Sequence, residues 1–215
     1  MQNYPLWARL EAIPVPRPSP DSVADMVRQF KPDYLPGVPT IFNGLLSNKD
    51  FTGMDLSFIK GFFAGAAPLP MDTYNRLIEL TGKQIVDVYG LTECTLFATA
   101  SPWRGKIKAG TVGLPLPNTE IKIVDLETGQ KEMPAGEAGE ILIKGPQVMS
   151  GYYKKPEETA QVLCDGWLCT GDIGFIDEEG YLSVIDRKKD LIIAGGFNVY
   201  PNEVDDVLFA HPKVK

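Results

Sequence analysis

The first hundred residues alternate helical and extended patterns, and each clear strand runs into a loop of small or polar residues. Ser19-Pro20-Asp21 reads as a helix start, with Ser19 as cap and Pro20 at the first helical position. Val23, Met26, Val27 and Phe30 follow at helical spacing. An extended piece over residues 34–38 and a helix near residues 41–46 come next. Residues 60–64 predict a buried strand that enters Gly65-Ala66-Ala67-Pro68. Residues 71–80 predict a helix stopped by Gly82. Residues 85–88 predict a second strand that enters Tyr89-Gly90-Leu91-Thr92-Glu93. Such alternation calls for α/β layering, and ligands of layered sheets gather beyond the carboxyl ends of the strands.

The pattern changes after Pro102. Short strands are expected over residues 120–124, 140–144, 167–170, 174–176 and 181–185. Turn signals such as Glu127-Thr128-Gly129 and Glu178-Glu179-Gly180 separate them, with one helix near residues 156–163. The charged run Asp186-Arg187-Lys188-Lys189-Asp190 then leads to a strand over residues 191–194, to Gly195-Gly196, and to a helix opened by Pro201. Val204, Val207 and Leu208 share one face of that helix. The expected organisation has three parts: a partial α/β subdomain (residues 1–102), a small mostly-β subdomain (103–185), and the start of an α+β C-terminal lobe, cut short (186–215).

Charge and composition narrow the function classes. The net charge is −7, so no general field draws nucleic acid or an anionic membrane surface, and a phosphate-rich ligand would need local groups to hold it. No apolar run reaches the roughly 18 residues of a membrane span. The N-terminus lacks a signal-peptide plan, and three scattered cysteines fit a reducing compartment, so the expected location is cytoplasmic. Cys164, Cys169 and the single histidine, His211, do not have zinc-site spacing. His211 reads as an exposed helix-end residue and Cys94 as packing. Neither GxxxxGK[ST] nor GxGxxG occurs.

Four segments carry a different signal. They are Gly65-Ala66-Ala67-Pro68-Leu69-Pro70; Tyr89-Gly90-Leu91-Thr92-Glu93; Gly166-Trp167-Leu168-Cys169-Thr170-Gly171-Asp172; and Asp186-Arg187-Lys188-Lys189-Asp190 leading to Gly195-Gly196-Phe197-Asn198-Val199-Tyr200-Pro201. In this order and spacing the chain resembles the adenylate-forming superfamily of acyl-CoA synthetases, luciferases and peptide-synthetase adenylation domains. The stretch from Gly145-Pro146-Gln147-Val148-Met149 to Asn202-Glu203-Val204 looks like bacterial long-chain fatty acyl-CoA ligases.

That resemblance implies a chemistry. A carboxylate is joined to AMP with loss of pyrophosphate, and the acyl-adenylate then acylates coenzyme A. The protein has to align two anions and neutralise developing charge. Asp172 is expected to accept hydrogen bonds from the ribose hydroxyls of ATP or AMP, since a carboxylate is purely an acceptor. Glu93 is expected to hold Mg²⁺, a hard cation that prefers oxygen, and Thr92 to meet the adenylate phosphate. Tyr89 offers a ring face to adenine, with Gly90 beside it, and Asp87 an acceptor to the adenine amino group. Gly65 and Ala66 leave room for a ring or acyl chain. The planar fork of Arg187 suits phosphate or ribose oxygens. Lys189 matches the hinge about which the small lobe swings, and Gly196 the loop lining the pantetheine channel.

Two parts of the resemblance have no counterpart in these 215 residues: an upstream Ser/Thr/Gly-rich loop ending in Pro-Lys-Gly, and a late lysine of the C-terminal lobe. The expectation is therefore a piece of a long-chain fatty acid–CoA ligase that performs no ATP–pyrophosphate exchange alone. An aryl-CoA or other carboxylate-activating ligase, and a non-catalytic AMP-binding remnant, are the alternatives.

Overall fold

The computed structural model describes residues 8–195 and 197–209. They form two compact units, divided between Ile85 and Val86. In the first unit, helix α1 (Pro20–Phe30) begins as its sequence predicts: the Ser19 hydroxyl accepts from the Ser22 amide at 3.2 Å, and Pro20 occupies the first turn. Its apolar stripe, Val23 and Val27, is buried, while Phe30 stays 48% exposed. Strand β1 (Tyr34–Gly37) lies parallel to β2 (Gly61–Ala64). Helices α2 (Pro39–Ser47), α3 (Lys49–Thr52) and α4 (Met71–Thr81) complete the unit, and Gly82 caps α4. Phe42, Leu45, Phe51, Phe62 and Leu77 are fully buried in one cluster, with Phe42 edge-on to Phe62 at 5.9 Å. Each such side chain contributes about 2 kcal/mol by leaving water. A helix-covered parallel pair is the α/β layering expected from the alternation.

Strand β3 (Gln84–Tyr89) carries the chain into the second unit. There it pairs antiparallel with the two-residue strand β4 (Thr99–Ala100), which pairs with β5 (Leu114–Pro115). These two short strands are not legible in the sequence. A second antiparallel sheet runs in the order β10 (Leu182–Arg187), β9 (Trp167–Ile176), β7 (Gly139–Lys144), β6 (Glu120–Val124). Helix α5 (Pro156–Val162) precedes β8 (Leu163–Cys164), which pairs with β9. Ile123, Ile141, Ile143, Leu168 and Leu182 fill the core of this unit, together with Cys94, which is packing as expected.

The sequence suggests two strands over residues 167–176; the structure has one. β9 runs unbroken through Thr170-Gly171-Asp172, but its register against β7 jumps from Leu142–Cys169 to Glu140–Ile173. Three residues of β9 thus stand against Ile141 alone. Gly171 adopts φ +71, a left-handed conformation that favours glycine, and the Thr170 hydroxyl donates to the Ile141 carbonyl at 2.7 Å in place of a ladder bond. Such a bulge bends the strand and re-aims the side chains beside it. The charged run is likewise no separate segment, because Asp186 and Arg187 are the last residues of β10.

Beyond β10 a hairpin of β11 (Ile192–Ala194) and β12 (Phe197–Val199) turns at Gly195 and leads into α6 (Pro201–Phe209). The buried Asp186 carboxylate accepts from the Asn202 amide at 3.0 Å, which satisfies a free N–H at the start of α6. Val204, Val207 and Leu208 of α6 are exposed. Gly196 and His211 lie outside the described residues. No helix among the described residues is long and apolar enough to cross a membrane.

Candidate nucleotide site

The bulge brings Asp172 under two donors. Its carboxylate is 10% exposed; Oδ2 accepts from the Tyr89 hydroxyl at 2.7 Å, and Oδ1 from Arg187 Nε at 3.2 Å. Arg187 is its cross-strand partner in the β9–β10 register. Tyr89 reaches it from the end of β3. Three predicted site residues, 83 and 15 positions from one another in sequence, thus meet at one carboxylate. Burial, and then the neighbouring Asp172 charge, push the Tyr89 phenol well above its ordinary value. It therefore remains a donor at any ordinary pH. The Arg187 side chain is 58% exposed, so its remaining guanidinium N–H groups are available to an anion. Thr170, Gly171, Arg187, Lys188 and Lys189 line one shallow surface opening, with Lys189 fully on the exposed turn after β10.

Beyond Tyr89 the chain makes a tight return. A Cβ at Gly90 would lie 2.1 Å from the Leu96 carbonyl oxygen, so no other residue fits there without moving backbone. The return places Thr92 and Glu93 on a 3₁₀ turn (Thr92–Cys94), tied by the Cys94 amide to the Leu91 carbonyl at 3.1 Å. Thr92 is exposed. Glu93 Oε1 accepts from the Tyr152 hydroxyl at 2.8 Å, and the Glu93 carbonyl accepts from the Met149 amide at 2.7 Å. Oε2 has no hydrogen bond among the described residues, which leaves one hard oxygen open on a carboxylate held through the other. That fits a Mg²⁺ ion, which is commonly held by one or two carboxylates and otherwise by phosphate and water.

Asp87 sits two residues before Tyr89 on β3, 9% exposed. Burial pushes its carboxyl up to about 7. The neighbouring strand β4 is followed by Ser101, whose amide donates to the Asp87 carbonyl at 2.8 Å and whose Oγ is buried without a hydrogen-bond partner among the described residues. Gly65 and Ala66 belong to the first unit, just past β2; Ala66 is exposed with φ +73. Tyr152 and Glu140 lie outside the four sequence segments, and Thr170 and Lys188 lie within them without an expected role of their own. For Glu140 the local signal is a glutamate beside the apolar run Ile141–Ile143.

Comparison with known proteins shows the family. A family model described as AMP-binding enzyme matches residues 4–153. The chain is 44% identical over its whole length to the long-chain-fatty-acid–CoA ligase of Bacillus subtilis, of which it spans 38%. It superposes on ATP-bound MatB from Rhodopseudomonas palustris with a TM-score of 0.89 and 40% identity, covering 98% of this chain and 41% of that one. It superposes on the anthranilate CoA ligase AuaEII in complex with anthranoyl-AMP with a TM-score of 0.90 and 31% identity, covering 97% and 40%. On sequence and fold together, the chain belongs to the AMP-binding enzyme family.

Proposed function

We propose that the chain supplies the nucleotide-binding part of a ligase that activates a carboxylic acid with ATP and passes the acyl group to coenzyme A. In the first step a carboxylate oxygen attacks the α-phosphorus of ATP, and the bond to pyrophosphate breaks. In the second the thiol sulfur attacks the acyl carbon, loses its proton, and AMP leaves. The observation that carries the reading is the buried Asp172 carboxylate held between Tyr89 and Arg187.

In this reading Asp172 accepts from the ribose hydroxyls, using lone pairs that Tyr89 and Arg187 leave open. Arg187 turns its exposed N–H groups to ribose or phosphate oxygens. The Tyr89 ring and the Asp87 carboxyl take the adenine face and amino group, and the tight return at Gly90 brings Thr92 to the phosphate. Glu93 holds Mg²⁺, which when bound supplies positive charge beside the phosphates. Gly65 and Ala66 border the acyl group, and Lys189 is the hinge. The divisions at residues 102 and 185 belong to the same proposal.

Two readings of the acid are favoured by different observations. The likeness to the Bacillus subtilis ligase supports a long-chain fatty acid. The close superposition on a protein holding anthranoyl-AMP supports an aryl or other compact carboxylate equally well. Calorimetric titration with AMP tests the shared part. Asp172→Ala is expected to weaken AMP binding by at least about tenfold, the loss of charge-assisted hydrogen bonds; equal affinity in the variant overturns the assignment. Titration with non-hydrolysable palmitoyl and benzoyl adenylate analogues then separates the two acids.

A further inference from the structure

Glu140 is an acidic residue in a strand that is apolar from Ile141 to Ile143. It is 8% exposed, in β7 between Gly139 and Ile141. A buried carboxylate is strongly disfavoured unless charge and hydrogen bonds compensate it. Two partners do so: Oε1 accepts from the Gly171 amide at 3.2 Å, and Oε2 from the Lys188 ammonium at 2.8 Å. The main chain closes the same junction, because the Lys188 amide donates to the Gly171 carbonyl at 2.8 Å. Gly171 and Lys188 are thus joined both directly and through one carboxylate. They are also the immediate chain neighbours of Asp172 and Arg187, which form the ion pair of the site.

We propose that Glu140 is a positioning residue, whose carboxylate ties the β9 bulge at Gly171 to the turn at Lys188 and so fixes the relative placement of Asp172 and Arg187. The proposal rests on reading Asp172 and Arg187 as a nucleotide site. Gly171 needs such a tie on its β7 side, because its left-handed backbone sits where β9 has lost register with β7 and its amide meets the Glu140 side chain rather than β7 backbone. Lys188 supplies the tie from the opposite strand. Its side chain is 42% exposed, against 11% for Glu140, so the lysine approaches from the solvent side and the glutamate from within.

The test combines amide hydrogen exchange with AMP titration on the parent chain, Glu140→Gln, Glu140→Ala, Lys188→Met, and the double variant Glu140→Gln/Lys188→Met. Glutamine keeps an oxygen for the Gly171 amide and loses the ion pair; alanine loses both. Exchange at the Lys188 amide is expected to rise about tenfold in Glu140→Gln and Lys188→Met and further in Glu140→Ala. AMP affinity is expected to fall in the same order. The double variant is expected to resemble Lys188→Met, because paired groups act as a unit. Unchanged exchange in Glu140→Ala, fully additive losses in the double variant, or faster exchange with unchanged AMP affinity each overturn the proposal. Amides of β6 in the same data report global folding; if Glu140→Ala exposes them, Glu140→Gln and Lys188→Met carry the test. A parent chain that binds no AMP defeats the nucleotide reading instead, and Lys188 exchange then decides the clamp alone.

Discussion

The Tyr89 hydroxyl donates to Asp172 Oδ2 at 2.7 Å across 83 residues of sequence, linking the end of β3 to the bulge of β9. The bond is partly buried and its acceptor is charged, so it belongs to the stronger class of protein hydrogen bonds. Tyr89→Phe removes the donor and keeps the ring. The expected cost is about 2 kcal/mol in unfolding free energy, read from the urea midpoint at constant slope. A midpoint equal to the parent's would mean the bond contributes nothing.

Gly90 leads to a different prediction, about backbone rather than polarity. An added Cβ meets the Leu96 carbonyl oxygen at 2.1 Å, and that neighbour cannot rotate away as a side chain can. Gly90→Ala is expected to destabilise the chain by about 2 kcal/mol or more and to displace the Thr92–Cys94 turn. Circular dichroism melting measures the first and the chemical shift of the Glu93 amide the second. A variant with parental melting and an unmoved amide sinks the claim.

Asp87 controls part of the pH dependence. Its folded carboxyl titrates near 7 because it is buried, above the ordinary value of 3.8. Below the ordinary value both folded and unfolded forms are protonated, and the group is neutral with respect to folding. Between about pH 4 and pH 7 the unfolded chain releases the proton and the folded chain keeps it, so stability declines as pH rises through this window. Each unit of difference corresponds to about 1.4 kcal/mol, which makes the whole effect a few kcal/mol. Asp87→Asn is expected to flatten the decline. Denaturation series at pH 4.5 and 7 for both proteins provide the comparison, and parallel curves would remove Asp87 as the cause.

Tyr152 donates to Glu93 Oε1 at 2.8 Å and thereby restrains the carboxylate from turning. Tyr152→Phe frees the carboxylate to turn. Mn²⁺ in the presence of AMP, followed by water-proton relaxation, is expected to bind several-fold more weakly in the variant, with melting temperature nearly unchanged because Glu93 is only partly buried. Identical Mn²⁺ titrations would show that Tyr152 does not orient the carboxylate.

The sequence by itself determined most local elements and the kinds of residue at the candidate site. Ser19-Pro20 starts a helix and Gly82 ends one because capping and backbone freedom are properties of a few adjacent residues. Motif order marks Tyr89, Glu93, Asp172 and Arg187 as candidates. Tertiary structure decided the rest. Residues 167–176 carry a break signal at Gly171, yet they form one strand, because β7 and β10 pair on either side of a bulge. Strands of two residues, such as β4 and β5, have no periodicity to read. The ties from Glu140 to Lys188, from Tyr152 to Glu93 and from Tyr89 to Asp172 join positions 48, 59 and 83 residues apart. No local rule encodes them, because which polar group meets which in the interior depends on sheet register, and register is fixed only when the two faces of the sheet pack.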